Sequence, residues 1–185
     1  LNAGTNLHYF TGTVWYASER LVGALLLASG ELHYIAPVFE LGTLAQYWQV
    51  PGQVHGWQED ESPYALLVQV LRQQGIAATA HVGLDESSAF FITDGLRQVA
   101  PEQQFCSAKM VTAGCRQQKS VAELALMQRA MQMTLAVHQA TASMLYAGIS
   151  TTEVEAFIDQ AHRKVGANGS YFVIVLFGAA TQYPH

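Results

Sequence analysis

A Ser-x-x-Glu motif occurs twice in the second half of the chain, at Ser120–Glu123 and at Ser150–Glu153. In such a box the serine hydroxyl accepts from the backbone N–H three residues on, and the glutamate reaches back to the serine N–H. Two donors that a helix start leaves bare are thereby satisfied. Each motif therefore fixes where a helix begins. Behind the first, Leu124, Met127, Met131, Leu135, His138 and Leu145 recur at three-, four- and seven-residue steps. That spacing predicts one apolar face of a long helix, closed at Gly148. Behind the second, Val154, Ile158, Ala161 and Val165 mark a shorter helix that Gly166 ends. "ANGS" then turns the chain into "YFVIVLFG", which reads as a buried strand.

The residues upstream have a different rhythm. "LHYFTG" and Leu21–Ala28 read as strands, and "ELHYIAP" follows a Ser29-Gly30 turn, so Leu21–Pro37 is expected to be a hairpin. "VFELGTLAQYW" suits a short helix, and "PGQVHGWQEDESP" a strand with an acidic loop. Ser62 caps a helix with Pro63 at its first position, and the apolar face of "YALLVQVLRQQ" runs to Gly75. "TAHVGLD" reads as a strand and "ESSAFFITDGLRQVAP" as a helix that Pro101 ends. Strands alternating with helices imply an α/β domain that runs to about Gly114. The change of rhythm at "CRQQKS" marks the expected boundary.

Composition narrows the function. Half of the 185 residues are hydrophobic and only 12% are charged, with a net charge of −5 and no cluster of Lys or Arg. No nucleic-acid footprint is visible. The apolar runs "LVGALLLA" and "YFVIVLFGAA" are far shorter than the ~18 residues of a membrane span. Cys106 and Cys115 have no metal-ligand spacing. They read as free thiols in a reducing compartment, and the cytoplasm is expected. Both ends read as cut: the chain starts on "LNAGTNLHYFTGT" and stops on Pro184-His185 directly behind a strand and turn. A segment of a longer protein is expected.

Standard nucleotide, zinc-protease and serine-hydrolase motifs are absent. His8, His33, His55 and His81 fall in or beside strands and read as structural or surface residues, His138 as a core histidine, and His162 as solvated. Glu59, Asp60 and Glu61 read as a solvated loop, and Asp85 and Glu86 as the start of a helix. Glu155 and Asp159 share a helix face with His162 one turn on, a weak prospect for an ion. His185 differs in context, because α/β proteins commonly build sites at strand ends.

Three stretches in order carry a family resemblance. "CRQQKSVAELALMQRA" resembles the R-x-x-K-S-x-x-E-[IL]-x-x-[ML]-x-x-A signature of the creatinase/prolidase (pita-bread) family, with Arg116, Lys119, Ser120, Glu123, Leu124, Met127 and Ala130 matching. "AGISTTEVEAFI" is similar to the next signature. "GANGSYFVIVLFGAATQYPH" is similar to the strand and Pro-His turn that follow, at Gly169, Ser170, Phe172, Val175, Gly178, Pro184 and His185. "NLHYFTG" resembles the opening of the creatinase-type N-terminal domain, and "SERLVGALLL" and "GELHYIAPVFE" resemble the Xaa-Pro peptidase branch.

The resemblance implies an α/β fold: a creatinase-like N-terminal domain over 1–115, a mixed sheet with flanking helices, then the start of an α+β pita-bread catalytic domain over 116–185. It implies a metallopeptidase that cleaves the bond before proline in short peptides and works as a homodimer. His185 would be a substrate-side catalytic residue, and in the metal-free creatinase branch the acid/base. Two manganese-type divalent ions would be held by two Asp, one His and two Glu, all beyond His185. No cofactor or metal is expected in this segment, and the segment alone is expected to be inactive. No nucleic acid or membrane is expected as a partner. The alternatives are a metal-free creatinase-like amidinohydrolase and a catalytically inactive pita-bread binding module.

Overall fold

The computed structural model describes residues Leu1–Tyr183. The chain divides into two compact units, Leu1–Gln118 and Lys119–His185. The first unit is α/β. In chain order it contains α1 (Thr5–Thr11), β1 (Gly23–Leu26), β2 (Leu32–Pro37), α2 (Leu41–Leu44), β3 (Gln53–Trp57), α3 (Pro63–Gln73), β4 (His81–Leu84), α4 (Phe90–Val99), β5 (Gln104–Ser107) and α5 (Lys109–Gln117).

The Ser29-Gly30 turn makes the expected hairpin, with Gly30 at φ 91. β1 and β2 pair antiparallel, Leu25 opposite His33. β3 adds on the other side of β2 in parallel, Ile35 opposite His55, which gives a mixed three-stranded sheet. β4 and β5 form a separate parallel pair. All six residues of β2 are buried, because both faces of this central strand are covered. On one side Ile35 and Trp57 pack with Leu21, with Val70 of α3 and with Ile92 and Leu96 of α4. A second cluster joins Leu7 of α1 to Ala24, Leu32 and Tyr34 beneath Trp15 and Trp48. α3 starts as expected, with the Ser62 hydroxyl accepting from the Ala65 N–H at 3.2 Å and Pro63 in the first turn.

Two expectations for this unit are corrected, and two further elements are added. "LHYFTG" is the helix α1, not a strand. Leu7 and Thr11 lie four apart on its buried side, the Thr11 hydroxyl donates to the Leu7 carbonyl at 2.7 Å, and Gly12 closes the helix at φ 71. A six-residue stretch is too short to separate the two periods, and burial of the helical face decides it. Asp85 and Glu86 do not start a helix. α4 begins at Phe90, and the two acids sit in the loop after β4. β5 and α5 have no counterpart in the sequence reading. β5 is four residues long with only Phe105 half-buried, so it has no alternating pattern to detect.

The second unit contains α6 (Val121–Met144) and α7 (Thr151–Lys164). Both capping boxes are complete, with each serine hydroxyl 3.2 Å from the amide it accepts from. α6 ends at Met144, short of Gly148. The face expected to be core is not buried: Leu124, Met127, Met131, Leu135 and His138 are exposed, and only Val137 of α6 is buried. "YFVIVLFG" is not a strand. Among the described residues no neighbour pairs with Phe172–Phe177, and an extended segment without a ladder partner is not a strand. A short 3-10 turn follows at Gly178–Gln182.

Candidate functional site

His185, the acid/base candidate, lies outside the described residues, as does Pro184. The described residues do show how the segment that carries it is launched. α7 ends at Lys164, and Gly166 and Gly169 both take left-handed backbone, at φ 100 and 104. At Gly169 an added Cβ would meet the Asp159 carboxylate and lie 2.6 Å from the Arg163 guanidinium. The next residue, Ser170, donates its backbone N–H to Asp159 Oδ1 at 2.9 Å. Asp159 is itself held by Arg163 at 2.9 Å, one turn along α7. Hydrogen bonds from Arg163 and then from the Ser170 amide hold the Asp159 carboxyl below its ordinary value. Charge and backbone together clamp the turn to the end of α7.

His162 completes the clamp and is half-buried rather than solvated. Its Nδ1 lies 2.9 Å from the Ile158 carbonyl and 3.0 Å from the Ser170 hydroxyl. A carbonyl oxygen only accepts, so Nδ1 carries the hydrogen and the lone pair of the neutral ring is on Nε2. His162 therefore does not deprotonate Ser170, and the pair is no serine nucleophile. His138, Thr141 and His162 line a cavity of about 280 Å³ between α6, α7 and residues 174–177, with apolar walls that include Val137, Val154, Ile158 and Leu176.

The other candidate acids have structural work. Glu123 and Glu153 accept from the backbone N–H of Ser120 and Ser150 at 2.7 and 2.9 Å. The Ser120 amide above all lowers the Glu123 carboxyl, and the Ser150 hydroxyl above all lowers that of Glu153. With Asp159 tied to Arg163 and Ser170, and His162 Nδ1 turned to Ile158, the face shared by Glu155, Asp159 and His162 presents no ligand set. Among the described residues no group of three or more His, Cys, Asp or Glu stands together to hold a metal ion. They do not fit a dinuclear centre.

In the first unit, Arg20 pairs with Glu59 at 3.0 Å, so the acidic loop is anchored. Asp85, which the sequence suggests only as a helix-start acid, has a different role. It is 4% exposed and accepts from Asn2 N–H at 3.2 Å, Asn6 Nδ2 at 2.9 Å, Ser87 N–H at 2.8 Å and the Ser87 hydroxyl at 2.7 Å. Burial pushes its carboxyl up, but the hydrogen bonds from Ser87, Asn6 and Asn2 outweigh that and hold it below the ordinary value. Asn6 is held in turn by Arg116, at 2.9 Å. Asp85 is a bracket between α1 and the loop after β4. Cys106 and Cys115 are free and exposed. Among the described residues, no helix is long and apolar enough to cross a membrane.

Comparison with known proteins matches both units. Residues 1–118 match the Creatinase/Prolidase N-terminal domain and residues 125–185 match Metallopeptidase family M24. Dipeptidase PepE from Mycobacterium ulcerans superimposes with a TM-score of 0.82 at 26% identity, covering 94% of this chain and 46% of that one. A prolidase from Thermococcus sibiricus gives 0.76 at 20% identity, covering 92% and 46%, which speaks for the fold. The YkvY protein of Bacillus subtilis (strain 168) is 26% identical over 182 residues, 97% of this chain and 50% of its own length. The chain thus spans about half the length of the relatives it matches. With the N-terminal domain matched from the first residue to the end of the first unit, the chain belongs to the creatinase/prolidase family.

Proposed function

We propose that this chain works as part of an Xaa-Pro dipeptidase-type metallopeptidase, which hydrolyses the bond before proline in short peptides. The observation that carries this reading is the likeness to dipeptidase PepE over 94% of the chain, at 26% identity. The match of residues 125–185 to Metallopeptidase family M24 points the same way. On this reading the first unit is the creatinase-like N-terminal domain and the second is the opening of the catalytic domain. The metal is a pair of manganese-type divalent ions, held by residues other than those described. The whole protein is a cytoplasmic homodimer.

The role proposed for this chain's own residues is to bring His185 to the substrate. The Gly166–Ser170 turn, clamped by Asp159, Arg163 and His162, sets the direction in which the segment toward His185 leaves α7. An imidazole titrates near neutrality, so it can hold or give up a proton at the scissile bond. The test is hydrolysis of Ala-Pro and Ala-Ala by the full-length protein loaded with Mn²⁺. Preferred cleavage of Ala-Pro is expected, and His185→Ala should lower kcat/KM by about 10²-fold, the scale of a positioned acid/base. No cleavage of Ala-Pro would sink the activity. A near-wild-type H185A would sink the role of His185 alone.

A further inference from the structure

His33 and His55 lie on neighbouring parallel strands, and the register of β2 and β3 sets Ile35 opposite His55 and His33 opposite Gln53. The two imidazoles meet along that diagonal. His33 Nδ1 is 3.1 Å from His55 Nε2, and the rings stack with centroids 5.3 Å apart and planes 24° from parallel. His33 is 0% exposed, and its other nitrogen, Nε2, has no hydrogen-bond partner. His55 is half-buried.

These distances select one arrangement of hydrogens. A neutral imidazole has one N–H and one lone pair. With its hydrogen on Nδ1, His33 donates to the His55 Nε2 lone pair and leaves only a lone pair bare. With its hydrogen on Nε2, His33 would bury an N–H without an acceptor, the rarer and costlier defect. The first arrangement holds both rings neutral, with the His55 hydrogen on Nδ1.

That arrangement has no favourable place for a further proton. On His55 it would enter at Nε2, and either break the contact or force the His33 hydrogen onto its partnerless Nε2. On His33 it would enter at Nε2 as a buried cation with no acceptor. The elements packed around the pair supply no compensating charge. β1 contains no titratable residue. α3 contributes Tyr64 and Arg72, and Arg72 donates to the Ile76 carbonyl at 2.9 Å and to Gln103 Oε1 at 2.7 Å. α4 contributes Asp94, which accepts from Gln98 Nε2 at 2.7 Å, and Arg97, which is exposed. Tyr34, next along β2, donates to the Val50 carbonyl at 2.7 Å, and Glu31 before β2 is exposed and bound by Ser29. Burial first, and then the neighbouring His33, hold His55 below the ordinary imidazole value.

We propose that the His33–His55 pair is an acid-sensitive latch: with both rings neutral it ties the edge strand β3 to β2, and uptake of a proton releases that edge. A histidine whose folded-state value lies below its unfolded one binds fewer protons when folded. Its contribution to stability is fully present above about pH 6.5 and is lost as pH falls toward the folded-state value. The loss cannot exceed tenfold in the unfolding constant per pH unit, the limit for one proton.

The test uses urea unfolding of the chain between pH 7.5 and 5.0, followed by the fluorescence of Trp15, Trp48 and Trp57, all in the first unit. This window lies above the ordinary carboxylate range. His55→Gln keeps an oxygen that can accept from His33 Nδ1–H but does not titrate. The wild-type midpoint should fall on acidification, and that of H55Q should fall less. Imidazole ¹⁵N NMR of the wild type should place the neutral His33 hydrogen on Nδ1 and show His55 titrating below about 6.5, with the His55 and Gly56 amides exchanging faster as it does. Equal acid sensitivity of the two proteins, a His33 hydrogen on Nε2, or a His55 that titrates at or above the ordinary value would overturn the latch. If H55Q does not fold, the wild-type spectra decide.

Discussion

The two units spend their apolar residues in opposite ways. In the first, Leu7, Ile35, Leu44, Val70, Leu71 and Leu96 are no more than 1% exposed. In the second, Val137 and Val154 are the only buried hydrophobic residues among those described, while Leu126 and Leu135 of α6 are 71% and 61% exposed. Yet α6 and α7 are the elements with the most complete local start signals, each opened by a full capping box. Capping and burial are therefore separate links. A cap satisfies donors that would otherwise be bare and sets where a helix begins, a contribution of about 1 kcal/mol. Burial draws on area removed from water, at roughly 25 cal/mol per Å². The second unit shows the first effect with little of the second.

The largest expected effect sharpens that contrast at Leu96. This side chain is 1% exposed, on α4, among Leu21, Ile35, Trp57, Val70 and Ile92. Leu96→Ala removes apolar contact and leaves a cavity that helix and sheet cannot readily close. A loss of about 2–5 kcal/mol is expected from urea unfolding monitored by tryptophan fluorescence. A loss below 1 kcal/mol would mean that the first unit is as loosely packed as the second.

A smaller loss, opposite in sign to the usual effect of Gly→Ala inside a helix, is expected one residue earlier. Gly95 lies inside α4, where replacement by Ala ordinarily stabilises a helix by about 1 kcal/mol. Here an added Cβ would run into the Tyr64 ring of α3, 2.6 Å from Cδ2. Tyr64 packs on the same core cluster, so swinging the ring aside would unpack it. Overpacking of about 1–3 kcal/mol outweighs the propensity gain. Gly95→Ala should therefore destabilise by up to about 2 kcal/mol on the same measurement, and a stabilised G95A would show that α3 can move away from α4.

The same contrast explains what the sequence made legible. Ser62-Pro63, Ser120 with Glu123, Ser150 with Glu153, and Gly30 in the hairpin turn are signals read within a few residues, and the structure uses each of them. What depends on distant partners was not legible. α1 was mistaken for a strand because only the burial of Leu7 and Thr11 separates the periods. Asp85 reads as a helix-start acid until Asn2 and Asn6, |i−j| of 83 and 79 away, converge on it. The His33–His55 contact requires the parallel register of β2 and β3, which no local pattern encodes. In "YFVIVLFG" the hydrophobicity was plain and the pairing was not, and pairing is what makes a strand. The turn at Gly169-Ser170 stands in the sequence only as part of a family resemblance. Its physical content, a left-handed residue pressed against Asp159 and Arg163, is visible only in three dimensions.

The smallest expected effect tests the other side of the comparison. Leu135 lies mid-way along α6 and is 61% exposed. Truncating an exposed leucine removes little area from a buried environment, and Ala is the best helix former, so the two small terms oppose each other. Leu135→Ala should leave α6 within about 0.5 kcal/mol of wild type. Tryptophan fluorescence cannot read this, because all three tryptophans lie in the first unit. Backbone hydrogen exchange of α6 can: its amides should exchange faster than those of α3 and α4 in both proteins, and L135A should not accelerate them several-fold. A loss of 2 kcal/mol or more would require Leu135 to be buried in solution. Dilution then separates the two ways this could arise. Protection that falls with concentration would mean that α6 is covered by a second copy of the chain. Protection independent of concentration would mean that the second unit packs its own apolar residues, and the contrast between the units would fail.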